Sequence, residues 1–325
     1  VIGIQYLVTM LVIFLLAGAF GVLLRAELAD GPQNIMGAND YNTVMSLHGI
    51  MMIAVAVATL IGGFANYVLP IMIGAKDVAF PRINALSYWI LPPVAILLLA
   101  TPLFGGFDTG WTAYPPLASQ TATGALLFEL AFLTFGVSSI LGGINFIATV
   151  VLLRSPGMTW GRVPIFVWSV LAAAVIALIA TQWIAYGLLM IILERVVGMH
   201  FFNPIDGVGG SALLYEHIFW FYSHPAVYIM VLPAFGLLLE IISTFSRKPV
   251  FAYKWVVRAF FAIVFLGFIV WAHHLFVSGM QESLHGPFMI LTELISIPTG
   301  VIFLSALATM WRGKLRLTTP MLFAI

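Results

Sequence analysis

Four of the seven histidines in this 325-residue sequence sit inside runs that are otherwise apolar. They are His48 in "VMSLHGIMMI", His224 in "FYSHPAVYIMVLP", and His273 with His274 in "IVWAHHLF". A polar ring in such surroundings is costly unless something binds it. Any one of the four alone reads better as a core histidine hydrogen-bonded to a neighbouring helix; for the set the balance reverses. Successive helix positions differ by about 100°, so His273 and His274 both turn inward only if they flank one central object, and a metal ion is such an object. With His224 as a third ligand they form a three-histidine site with an open position, the pattern of a catalytic metal. Tyr228, four residues after His224, shares its helical face and could donate a proton and an electron there; alone it would read as a packed tyrosine. His48 lies among Met45, Met51 and Met52, with Gly49 and Gly62-Gly63 thinning the helix beside it. It could offer one axial ligand to a flat haem, or be a satisfied core histidine.

The elements that carry these residues are set by composition. The chain is 62% hydrophobic and 8% charged, with a mean hydropathy of +1.10, more apolar surface than a water-soluble domain of this length can bury. Eight apolar stretches, at about 1-25, 42-72, 85-104, 125-153, 164-193, 211-244, 253-280 and 287-311, are each near the ~20 residues that cross a hydrocarbon core as helix. The expected fold is all-α, a polytopic transmembrane helix bundle forming a single membrane domain over 1-325. No secretory signal precedes the first stretch, and the chain begins within a helix, so its natural start is expected upstream. With no cysteine, iron-sulfur and thiolate sites are excluded.

Charge sets the expected orientation. The loops after even-numbered spans hold Lys76, Arg82, Arg154, Arg162, Arg247, Lys248, Lys254, Arg258, Arg312, Lys314 and Arg316. The odd-numbered loops hold only Arg25 and Arg195 among bases, beside acids that include Glu27, Asp30, Asp108, Glu194 and Asp206. Basic residues stay on the cytoplasmic side, so the even-numbered loops are expected there. The stretches 105-124 and 195-210, rich in Gly, Pro and aromatics, would then form either a lid over the outer end of the bundle or an interfacial aromatic belt. No nucleic-acid partner is expected.

Several segments bring in a family. "LLRAEL" at 23-28, "IGGFANYVLPIMIGAKDVAFPRINALSYWILPP" at 61-93, "GWTAYPPLA" at 110-118, "GVSSILGGINFIATV" at 136-150, "FWFYSHPAVYIMVLPAFG" at 219-236, "GFIVWAHHLFVSGM" at 267-280 and "IPTG" at 297-300 resemble subunit I of the haem-copper oxidoreductases. The resemblance implies an integral protein of a bacterial or archaeal cytoplasmic membrane with two haems, one low-spin and one high-spin, and one non-haem metal, copper or iron. It implies His48 as an axial ligand of the low-spin haem, Arg25 and Trp111 near the haems, and His224, His273 and His274 on the non-haem metal. Tyr228 matches the tyrosine that oxidases link to the first of those histidines. About twelve helices are implied, of which eight are visible, with helices nine to twelve, and the remaining haem ligands on the tenth, absent. Further membrane subunits and an electron donor, cytochrome c or quinol, are implied too.

A proton route is implied through Asp77 and Asn84, then Asn66 and Asn145, then Ser138 and Ser139. Its usual upper glutamate is Ala226 here, and Tyr222 with Ser223 resembles the variant in which a tyrosine-serine pair replaces it. A second oxidase route keeps Thr299 but has Ile302 where a lysine is usual and Leu239, beside Glu240, where a serine is usual. Glu293 resembles an acid that nitric oxide reductases place beside their metal. These departures tilt the expected reaction towards NO reduction to N2O, with O2 reduction to water as the alternative. An ion transporter, the competing class, would show an inverted repeat, and none is seen.

Overall fold

The computed structural model describes residues 1-29, 31, 34-120, 122-203 and 209-325; Asp30 and Asp206 fall outside them. Every regular element among the described residues is helical. Among the described residues seven helical segments are long and apolar enough to cross a membrane: α1 (Ile2–Glu27), α2 (Ala38–Ile73), α3 (Pro81–Phe104), α4 (Thr123–Leu152), α5 (Ile165–Val197), α6 (Ala212–Ser246) and α8 (Glu282–Met310). The eighth expected span, 253-280, differs. Its helix α7 (Tyr253–Gly267) stops after 15 residues and is followed by a short 3-10 turn, Trp271–Leu275.

The contacts divide the chain into two compact units, Val1–Phe64, Arg82–Leu141 and Thr181–Tyr222 in one, and Ala65–Pro81, Gly142–Ala180 and Ser223–Ile325 in the other.

In the first unit α1 buries little besides Tyr6, Ile13, Ala17 and Glu27. Its Tyr6 hydroxyl meets Ser87 Oγ at 3.0 Å, and Thr9 Oγ1 meets the Tyr88 hydroxyl at 3.0 Å. Gly62 and Gly63 serve this packing, since a Cβ on Gly63 would stand 2.7 Å from the Leu7 side chain and one on Gly62 would stand 3.2 Å from Tyr6. They do not open a space beside His48, as their spacing suggested. The stretch 105-118 is tied inward: Phe107 stacks on Phe128 at 4.5 Å, Trp111 packs on Phe219 at 5.3 Å, and Tyr114 receives a hydrogen bond from Trp220 Nε1. Trp111 and Tyr114, both half-buried, therefore pack against this unit's aromatic side chains. Burial pushes the Tyr114 phenol above its ordinary value, and the Trp220 bond works against the rise.

In the second unit two basic or acidic side chains close helix ends. Glu240 Oε1 accepts the N–H of Phe166 in the first turn of α5 at 3.3 Å, where an anion is favoured. Lys248 Nζ donates to the carbonyls of Ala308 and Trp311 at 2.6 and 2.8 Å, at the C-terminal end of α8. Gly236 lets α6 approach α5, because a Cβ there would stand 2.0 Å from Ser169 Oγ and 2.9 Å from Phe166 Cα. The second contact is backbone, so it has little room to give. Gly236→Ala is expected to destabilise the assembled protein by about 1-3 kcal/mol, seen as a lower thermal midpoint; an unchanged midpoint would contradict this packing.

Candidate metal and haem sites

The three histidines of the second unit converge. His224 lies on α6 just before Pro225, which cannot donate to the helical ladder. His273 and His274 lie on the 3-10 turn after α7. Because α7 ends at Gly267, the pair is presented by a tighter turn instead of the regular helix expected from the sequence. Ring centroids stand 4.5 Å apart for His224 and His273, 5.6 Å for His224 and His274, and 4.3 Å for His273 and His274. One ring nitrogen from each falls within 4.8 Å of the others. His224 Nδ1 and His274 Nε2 are 3.4 Å apart. Two imidazole nitrogens about 2.0-2.1 Å from a shared ion, at tetrahedral angles, would stand about 3.3-3.4 Å apart. His224 is 6% exposed and its Nε2 has no hydrogen-bond partner. The donor set suits a metal that prefers nitrogen.

His273 has its orientation fixed by a residue that spacing did not reveal. Thr292 Oγ1 donates to the Phe288 carbonyl at 2.6 Å, so its contact with His273 Nδ1 at 3.0 Å must be one in which the imidazole N–H donates. That leaves His273 Nε2 as the ligand nitrogen. The Tyr228 ring stands edge-on to His224 with centroids 4.9 Å apart. A Cβ on Gly267 would be 3.1 Å from Tyr228 Cδ2, so the glycine that ends α7 also admits that ring.

Among the described residues, Glu293 is not brought to the histidine cluster. It follows Thr292 and so lies about 100° further round α8; Thr292 meets His273 while Glu293 is exposed. Among the described residues the histidine cluster contains no carboxylate.

In the first unit His48 Nδ1 donates to the Ala17 carbonyl at 2.7 Å, leaving Nε2 as the free lone pair. The ring lies against Gly21, where a Cβ would stand 3.0 Å from Cε1. Just beyond His48, α2 takes a π-helical turn over Met51–Ala56. An imidazole with one nitrogen tethered and the other available suits an axial haem ligand. Arg25, one turn beyond Gly21 on α1, is exposed, and Trp111 packs on Gly49, where a Cβ would be 3.4 Å from its ring.

The polar residues of the expected proton route are found as follows. Within the first unit Asn84 and Ser138 are buried, Ser138 Oγ donating to the Ser87 carbonyl at 2.6 Å, Ser139 is half-buried, and buried Tyr222 packs on Phe132. Within the second unit Asp77 is exposed and Asn66 half-buried. Asn145, fully buried, accepts the Phe80 N–H at 2.9 Å. Ser223 is 2% exposed and its hydroxyl has no partner. Thr299 donates to its own helix at Ile295, and Leu239 and Ile302 are buried apolar residues.

Residues 1–325 match the family model for cytochrome c and quinol oxidase polypeptide I. Cytochrome c oxidase subunit 1 of Thermostichus vulcanus is 46% identical over 327 residues, spanning 100% of this chain and 59% of that protein. The protein of the same description from a Synechocystis strain is 44% identical, again over 100% of this chain and 59% of its own length. A cryo-EM structure of a heme-copper terminal oxidase dimer superposes with a TM-score of 0.78 at 17% identity, covering 95% of this chain and 52% of that one. A helical membrane protein with a cluster of three histidines able to hold a metal ion is the class that fold and site define. The chain belongs to the haem-copper oxidase subunit I family, and it spans a little under three fifths of the length of these two curated relatives.

Replacing Thr292 by Val should free the His273 ring and weaken metal binding by about 10-100-fold. Thr292→Ser should restore it. The check is metal content per haem after graded chelation of the intact complex; wild-type retention in Thr292→Val would remove the role.

Proposed function

We propose that this chain is the metal-binding part of the catalytic subunit of a membrane-bound terminal oxidase, with O2 as substrate and water as product. The observation that carries this reading is Tyr228 edge-on to His224 beside two further histidines. His224, His273 and His274 would hold copper, which on nitrogen ligands outranks iron in affinity. His48 would hold a low-spin haem through its untethered Nε2, and that haem would supply one-electron transfer to the subunit's metal centre. Bound there, copper would supply a one-electron redox centre with an open position for a diatomic gas.

What the chain's own residues do is more specific. Thr292 and the Ala17 carbonyl keep one imidazole nitrogen of His273 and of His48 protonated, so that the other is presented as a lone pair. Tyr228 Oη is the group that can give up a proton, and with it an electron, next to His224. Cleaving an O–O bond has a use for that electron; joining two NO molecules does not. Oxygen is therefore favoured over NO, in agreement with relatives described as cytochrome c oxidase subunit 1. The NO reading rested on Glu293, which is exposed, and on Ile302 and Leu239, which are apolar packing residues.

Protons are proposed to enter by the Asp77 route and to reach the centre through Tyr222 and Ser223, whose hydroxyls replace a carboxylate. The even-numbered loops are proposed to face the cytoplasm, and cytochrome c is the proposed donor, with further membrane subunits.

The full-length complex is expected to show haem absorbance and one copper per chain, and to consume O2 faster than NO at an electrode. Tyr228→Phe should lower O2 consumption by about 10²-fold or more with haem and copper retained, whereas Glu293→Gln should leave the rate near that of the parent. Rapid NO consumption with slow O2 turnover, lost in Glu293→Gln, would overturn the oxygen reading.

A further inference from the structure

One buried carboxyl has no part in either site. Glu129 lies near the start of α4, is 0% exposed, and neither of its oxygens has a hydrogen-bond partner. The other buried acids of this unit are held quite differently. Glu27 accepts the N–H groups of Asn34, Ile35 and Met36 at 3.1, 2.9 and 3.0 Å. Glu194 accepts from the backbone of Phe202 and Asn203, the Asn203 amide and the Ser119 hydroxyl. Those are environments built for an ionised carboxylate; that of Glu129 is not.

The charged and titratable groups around Glu129 come from two elements. Arg195, at the end of α5, brings Nε to 3.7 Å from Oε2, beyond hydrogen-bond length. Its two Nη groups are spent on the carbonyls of Ala118 and Ala122, at 2.6 and 3.0 Å. Tyr215, on α6, is close enough to feel the Glu129 charge, but its hydroxyl donates to the Thr112 carbonyl at 3.0 Å. An ionised carboxylate with no donor in the protein interior carries a large desolvation cost, while a carboxylic acid carries far less.

We propose that Glu129 is a proton-binding site, holding a proton on its carboxyl inside the first unit, with Arg195 as the group that responds when the proton leaves. While the acid is neutral, the guanidinium serves the Ala118 and Ala122 carbonyls. When the O–H bond breaks and the proton passes to water, the carboxylate needs N–H donors. Arg195 can supply them by closing the 3.7 Å gap and giving up Ala118 and Ala122. The proton would thus be linked to the hold on the stretch that follows Trp111. The site shares no residue with the histidine cluster and does not depend on the identity of the gas reduced.

The test is infrared spectroscopy of the intact complex at neutral pH, which needs no turnover, so loss of O2 consumption bears on the functional reading alone. A carboxylic C=O band that shifts in D2O is expected in the parent and is lost in Glu129→Gln. That variant is isosteric with the neutral acid and should assemble with normal haem content. If the difference between parent and Glu129→Gln contains only carboxylate bands, Glu129 is ionised and the proposal fails. Should the variant not assemble, the parent grown on ¹³C-glutamate decides: the absence of any label-sensitive protonated glutamate band overturns the assignment.

Discussion

An imidazole in an apolar interior has two nitrogens to account for, and the arrangement of this molecule follows from how one of them is held. The Ala17 carbonyl can only accept, so His48 Nδ1 carries the proton. The Thr292 hydroxyl is already donating to Phe288, so His273 Nδ1 carries the proton there as well. In each case a neutral main-chain or hydroxyl oxygen decides the tautomer and leaves the opposite nitrogen with its lone pair. A carboxylate in either position would make the ring more basic and add a charge that the surroundings would have to offset. Neutral tethers are the less costly choice within a membrane.

Holding the rings also requires local departures from regular helix. Pro225 directly follows His224, α7 ends at Gly267, the His273-His274 pair rides a 3-10 turn, and α2 takes a π-helical turn just past His48. A straight α-helix would set two adjacent histidines about 100° apart and carry one of them away from a common centre. The 3-10 turn sets them about 120° apart, so the 4.3 Å between their ring centroids reflects how the two side chains are turned and not a shorter repeat. Gly267 serves twice, since it ends the helix and leaves room for the Tyr228 ring.

Much of this was legible in the sequence. Four histidines in apolar runs cost too much to be incidental, and the four-residue step from His224 to Tyr228 placed the phenol correctly. Helix existence followed from hydropathy, but the break in 253-280 did not, because Phe268, Ile269 and Val270 are as apolar as the helix they leave. Thr292 was missed because a threonine in a span usually bonds its own helix, which it also does here. Glu293 is hard to place for a related reason: an acid in an apolar stretch reads as buried, yet one step along a helix exchanges a face that meets His273 for one that does not. The glycines beside His48 were read as making space for a ring, when Gly62 and Gly63 admit α1 and the glycine against His48 is Gly21, on another helix. Close approach between helices leaves no periodic mark.

The carboxylates show why burial alone does not report protonation or role. Glu27 and Glu194 are nearly as buried as Glu129, at 3% and 8% exposure against 0%, but each collects several N–H donors from a loop that would otherwise leave those donors unsatisfied. Their charge organises backbone. Glu240 does the same for the first turn of α5, which explains an acid beside Leu239 without any proton traffic. Among the described residues Glu129 accepts no hydrogen bond, and its ion-pair partner Arg195, at 3.7 Å, gives its two Nη groups to loop carbonyls. A side chain with that profile is either a flaw the fold tolerates or a group whose state changes, and the Arg195 guanidinium, poised between it and two loop carbonyls, gives the second reading a physical means.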